Sequence, residues 1–93
     1  ISGYTAGKVG TQLKRVAENR QVICVTHLAQ IAAMGDTHLL IEKKAEGDRT
    51  FTSVSPLSYE DRINEIARIM SGAQMTENLY NSAKELLDRS KQI

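Results

Sequence analysis

The chain has 93 residues, with 12 Lys and Arg against 11 Asp and Glu and a formal net charge of +1 at pH 7. Acids and bases are interspersed, which excludes a strongly basic nucleic-acid-binding face and points to a solvated, mixed-charge exterior. No apolar run reaches membrane-spanning length, no secretory signal is present, and the single Cys24 cannot form an internal disulfide, so a reducing, cytoplasmic setting is expected.

The chain opens Ile1-Ser2-Gly3, with neither Met nor lead-in, and reads as a piece of a longer protein. Thr5 to Glu18 carries Ala6, Val9, Leu13 and Val16 at helical spacing, with Lys8, Gln12, Lys14 and Arg15 mostly on the other side. Ser2 or Thr5 is placed to cap this helix. Gln21 to Thr26 follows as a strand, with Val22-Ile23-Cys24-Val25 an unbroken apolar run of the kind buried on both faces of a sheet. Cys24 is expected to act as a small buried hydrophobe there.

Leu28 to Met34 has helical spacing, stopped by Gly35 and Asp36. Thr37 to Lys44 reads as a second strand, Ala45 to Arg49 as a turn, and Thr50 to Ser55 as a third strand, ending at Pro56 as a sheet edge does. Ser58 heads a capping box, and Ile63, Ile66, Ala67 and Met70 form the apolar face of the helix that Ser71-Gly72 closes. Thr76 caps the last helix, whose face is Leu79, Ala83, Leu86 and Leu87. Met70 and Met75 are expected in the core, and Lys14, Arg15, Arg62 and Arg68 on solvated faces. The order is α-β-α-β-β-α-α, an α/β fold with a mixed sheet. The strand at Val22 to Val25 needs neighbours that these residues do not supply, so the rest of the sheet is expected upstream of Ile1. With its strand edge unpaired, the segment alone is expected to be aggregation-prone.

His27 closes the buried-strand pattern, at the carboxyl end where ligands bind in open α/β sheets. An imidazole there can donate one N–H to an anion while a backbone carbonyl orients the other nitrogen, and the following helix adds the positive end of its dipole. Position alone leaves a purely structural role open. His38, at the start of a strand, reads as a surface or structural residue. Neither histidine has a cysteine or carboxylate companion at metal-ligand spacing, so no metal site is expected.

Three strings carry a resemblance: Ile1-Ser-Gly-Tyr-Thr-Ala6, Arg20-Gln-Val-Ile-Cys-Val-Thr-His-Leu-Ala-Gln-Ile-Ala-Ala-Met34 and Asp36-Thr-His-Leu-Leu-Ile41. Together they resemble the end of a RecN-type DNA repair protein, within the SMC-like class of ABC ATPases. The likeness continues through Met75 to Leu79 and Ala83 to Leu87 and so covers essentially the whole chain. It implies the C-terminal portion of an ABC-type P-loop ATPase head from the D-loop onward, with residues 1–93 one partial domain. His27 then matches the switch histidine that contacts the γ-phosphate of ATP. Ile1, Ser2 and Gly3 match the tail of the D-loop at the interface between two heads. Gln30 matches a family position beside the histidine and, with Thr26, is assigned a supporting role. Tyr4 stands where relatives often carry a basic residue.

The glycine-rich phosphate loop, the signature motif and the acidic Walker B strand are absent from these residues. ATP and Mg²⁺ would therefore be held mainly by residues outside them, and the segment alone should be inactive. The resemblance implies as partners a second head in a homodimer, the N-terminal half of the same head, and DNA bound through the whole protein. It implies no membrane, and a cytoplasmic, nucleoid-associated location in bacteria. Two alternatives share the residues: a non-enzymatic α/β interaction or DNA-clamp module, and another SMC-like or ABC ATPase.

Overall fold

In a computed structural model, residues 2–72 and 74–92 are described. Six elements run in the order α1 (Gly3–Val16), α2 (Ala29–Ala32), β1 (Leu39–Glu46), β2 (Arg49–Pro56), α3 (Tyr59–Ser71) and α4 (Glu77–Ser90). The mixed helix-and-strand class is as expected, with one element fewer. Among the described residues the sheet is a two-stranded antiparallel one, β1 against β2.

The missing element is the expected strand at Gln21 to Thr26, which takes no regular secondary structure. Ile23 and Val25 are 82% and 87% exposed, and Cys24 is exposed too, contrary to the expected burial. The physical reason is pairing. A strand exists only where neighbouring backbone N–H and C=O groups complete its ladder, and β1 and β2 pair with each other rather than with this run.

α1, α3 and α4 begin where small polar residues predict. The hydroxyls of Ser2, Ser58 and Thr76 accept from the backbone N–H of Thr5, Asp61 and Leu79 respectively, each satisfying a donor the first helical turn leaves free. Gly72 takes φ +64° and ends α3. The hairpin turns through Gly47 and Asp48, with Glu46 opposite Arg49. Gly47 has φ +60°, and a positive φ at the first loop position suits the twist of a two-residue hairpin. Of the strand residues only Leu40 is even partly buried, and Leu39, Ile41, Phe51 and Val54 are each about half exposed.

The core lies between the helices. Ile63, Ile66 and Ala67 of α3 meet Ala83 and Leu87 of α4, with Ala29 and Ala33 closing one side. Leu79 and Leu86 pack partly buried against this cluster. Met70 and Met75 do not join it, being 43% and 45% exposed: Met70 lies near the end of α3 and Met75 between α3 and α4, beyond the helix faces that meet. On α1 the buried positions are Ala6 and Gly10, while Val9 and Val16 face outward. Gly10 permits this approach, since a methyl group there would lie 3.0 Å from Met34 Cγ and 3.3 Å from the Gln30 carbonyl oxygen. α1 thus packs on α2, α2 on α3, and α3 on α4.

Leu87→Ala should cost about 2–5 kcal/mol by chemical denaturation, because it empties a fully buried site. Val54→Ala on the exposed hairpin should stay within about 0.5 kcal/mol of the parent chain.

Candidate functional site

The candidate residues cluster around α2 and the turn that leads into it. Thr26 Oγ1 accepts from the Leu28 backbone N–H at 3.0 Å, the local turn by which a Ser or Thr hydroxyl replaces a backbone acceptor. This bond brackets His27. His27 lies at the bend, exposed, and its side chain forms no hydrogen bond or ion pair with the described residues. An exposed imidazole with both nitrogens uncommitted can meet an anionic group from outside the chain.

The helix after it is shorter than its spacing predicts, four residues rather than Leu28 to Met34, and Leu28 offers no side-chain cap. A single turn sums few peptide dipoles, so the expected contribution of a helix N-terminus is small here. What α2 does supply is a connection to the start of α1. Gln30 reaches the start of α1, where its side-chain nitrogen would lie 2.9 Å from a Cβ at Gly3. The structure therefore brings Gln30 and Gly3 together. Ser2 is exposed and its hydroxyl is engaged at the cap, donating also to Thr5 Oγ1 at 3.1 Å. Ile1 lies outside the described residues. Beside this junction Lys8 Nζ stands 4.6 Å from the centre of the Tyr4 ring, placing a positive charge over its face.

Two cations expected in solvent prove to hold the far end of α2. Arg62 of α3 is 8% exposed, and its Nη2 donates to the carbonyls of Gly35 at 2.8 Å and Ala32 at 3.3 Å. Lys14 of α1 donates to the Met34 carbonyl at 3.4 Å and lies 3.7 Å from the Asp36 carboxylate. These carbonyls lie at and just past the end of α2, where acceptors keep spare capacity, although that of Ala32 also takes the Gly35 N–H at 3.4 Å, and a cation at that end also complements the dipole. A signal for Arg62 was present in its spacing: it stands four residues before Ile66, on the stripe of α3 that reaches the core. Arg68, by contrast, is exposed as expected and bonds Glu65 through Nε at 2.6 Å. Arg15 is exposed as well.

His38 lies close by, half-buried, and its Nδ1 is a buried atom without a partner, as is Nε of Arg62. Burial lowers the His38 pKa from its ordinary 6.5; the Arg62 charge acts in the same direction and Glu65 opposes it. Among the described residues no group of His, Cys, Asp or Glu is placed to hold a metal ion, and no helix is long and apolar enough to cross a membrane.

The fold and site thus define a helical packing unit with a hairpin, presenting an exposed histidine on a turn that leads into a short helix whose far end is bonded by a buried arginine. No family model matches the chain. It is 43% identical over all 93 residues to the DNA repair protein RecN of Halalkalibacterium halodurans and 41% identical over the same length to that of Bacillus subtilis. It is 45% identical over 87 residues, 94% of the chain, to the DNA repair protein RecN of Vibrio cholerae. The chain belongs to the RecN family, as its sequence suggests, and spans about 16% of the length of these curated relatives.

A histidine whose pKa is lower folded than unfolded binds its proton more readily in the unfolded chain. Its stabilising contribution is therefore whole above 6.5 and falls as the pH drops below that value toward the folded pKa. The denaturation midpoint is expected to decrease from about pH 7.5 to about pH 5. In a His38→Gln chain that decrease should be smaller.

Proposed function

We propose that this chain is part of an ATP-binding and hydrolysing head that acts in bacterial recombinational repair of DNA double-strand breaks, with His27 as the γ-phosphate switch. The observation that carries this reading is the match to DNA repair proteins over the whole chain, joined to an exposed, uncommitted His27 on a fixed turn. The 93 residues form one partial domain of an ABC-type, SMC-like head, whose sheet is completed by residues upstream. The run at Val22 to Val25 supports this, because the exposed side chains of Ile23 and Val25 would gain burial, and its backbone ladder partners, in such a sheet.

Phosphoryl transfer is catalysed chiefly by positioning and by stabilising charge on the transferred group. The His27 imidazole is suited to the second of these. A ring N–H donates to a γ-phosphate oxygen and is left without an acceptor when only diphosphate is bound. That difference lets one side chain report which nucleotide is present. The phosphate loop and the carboxylates that hold Mg²⁺ lie outside these residues, so the segment by itself is inactive. The end of the D-loop, Ser2 and Gly3 among the described residues, faces the second head of a homodimer, and the close approach of Gln30 to Gly3 joins that edge to the helix following His27. DNA is engaged by the whole protein in the bacterial cytoplasm, at the nucleoid, without a membrane.

In the full-length protein His27→Ala should retain ATP binding and lose turnover by roughly 10²–10³-fold, as when one transition-state donor is removed. ATP-dependent association of heads should weaken with it. Unchanged turnover and association would reduce His27 to a structural residue. Failure of the wild-type protein to bind ATP would favour an interaction module.

A further inference from the structure

We infer that Arg62 is the positioning residue of the His27 segment: it clamps the carboxyl end of α2 and thereby sets where the turn at the other end of that helix presents its histidine. As a statement about ATP turnover this rests on the proposed function above; as a statement about the segment it stands on geometry alone.

The Arg62 guanidinium comes from α3, within the core, and is almost wholly buried. Its Nη2 bonds two carbonyls, those of Ala32 and Gly35, one ending α2 and one just beyond it. α2 is a single turn, too short to hold its shape by its own hydrogen bonds. Leu28 gives its other end no side-chain cap; its carbonyl accepts from the Ile31 and Ala32 N–H groups, and the one side-chain bond there among the described residues is Thr26 Oγ1 accepting from the Leu28 N–H around His27. The direction of this turn is thus set by whatever grips α2. Ala29 and Ala33 press one side into the core, but small apolar contacts allow sliding that directed, charge-assisted bonds do not. Lys14 adds a longer, more exposed contact from α1. Arg62 is the buried one of the two and belongs to the helix that contributes Ile63 and Ile66 to the core. Its grip therefore refers the histidine segment to the most rigid part of the chain.

Arg62→Met in the full-length protein tests the inference, since Met keeps an apolar stem and removes every donor. Hydrogen exchange at the Ile31, Ala32 and Ala33 amides, which bond within this turn, should accelerate roughly tenfold or more, while the α3–α4 core amides hold their protection. ATP turnover should show kcat reduced by roughly 10²-fold with KM for ATP little changed, as for a misplaced catalytic group, and Arg62→Lys should recover part of both effects. Unaltered exchange at these amides would overturn the inference. So would wild-type kcat in Arg62→Met where His27→Ala abolishes turnover. If His27→Ala has no effect, the ATPase reading falls and the exchange result alone decides the role of Arg62. Should Arg62→Met fail to fold, Arg62→Lys carries both readouts: altered exchange or kcat supports the inference, and wild-type values of both overturn it.

Discussion

The interaction on which the rest of this structure depends is the buried Arg62 guanidinium against the carbonyls of Ala32 and Gly35. A positive charge removed from water is costly unless it is hydrogen-bonded, and helix-end carbonyls are the compensating partners available to it. Burial lowers the Arg62 pKa and the Asp36 carboxylate opposes that shift. Arginine nonetheless remains protonated, so the clamp keeps its charge. Without such a clamp the short α2 would be one isolated turn on the flank of a helical pair. With it, the core of α3 and α4 is extended to the segment bearing Thr26, His27 and Gln30.

That arrangement divides the chain into parts of different rigidity. The α3–α4 pair carries the fully buried Ile63, Ile66 and Leu87 and is fastened outside the core by Tyr59 donating to Asp88 at 2.5 Å. The hairpin and the run at Val22 to Val25 lie outside this core and leave Ile23, Val25, Leu39, Ile41, Phe51 and Val54 exposed. A two-stranded hairpin is marginal by itself, and an apolar run without ladder partners gains nothing from forming a strand. Both features are what a segment would show if its remaining layers came from elsewhere in a longer protein, in keeping with its relation to relatives several times its length.

The arrangement leaves His27 exposed while Ala29, Ala33 and Arg62, which hold the helix after it, are buried. Thr26 holds the turn, Ala29 and Ala33 anchor α2, and Arg62 fixes its end. The Gly3–Gln30 approach ties the same helix to the start of α1. A group that must meet a ligand supplied by the rest of a protein has to be reachable, and a group that must meet it in one geometry has to be held.

The sequence by itself determined what depends on near neighbours along the chain. Ser2, Ser58 and Thr76 cap helices because their hydroxyls reach amides three residues ahead. The hairpin follows from the Gly47 turn, and the α3–α4 interface from apolar residues at helical spacing. The family is legible in strings spread over the whole chain, and the match over all 93 residues shows it. Only the tertiary structure decided the environments. Val22 to Val25 have every intrinsic property of a buried strand and are not one here, because strand formation needs partners that propensity does not provide. Arg62 and Lys14 look like solvent-facing charges and instead hold α2, since a long cationic side chain goes where acceptors lie, and those acceptors are backbone atoms at least twenty positions away. Met70 and Met75 look apolar enough for the core yet remain outside, because burial depends on which helix faces meet.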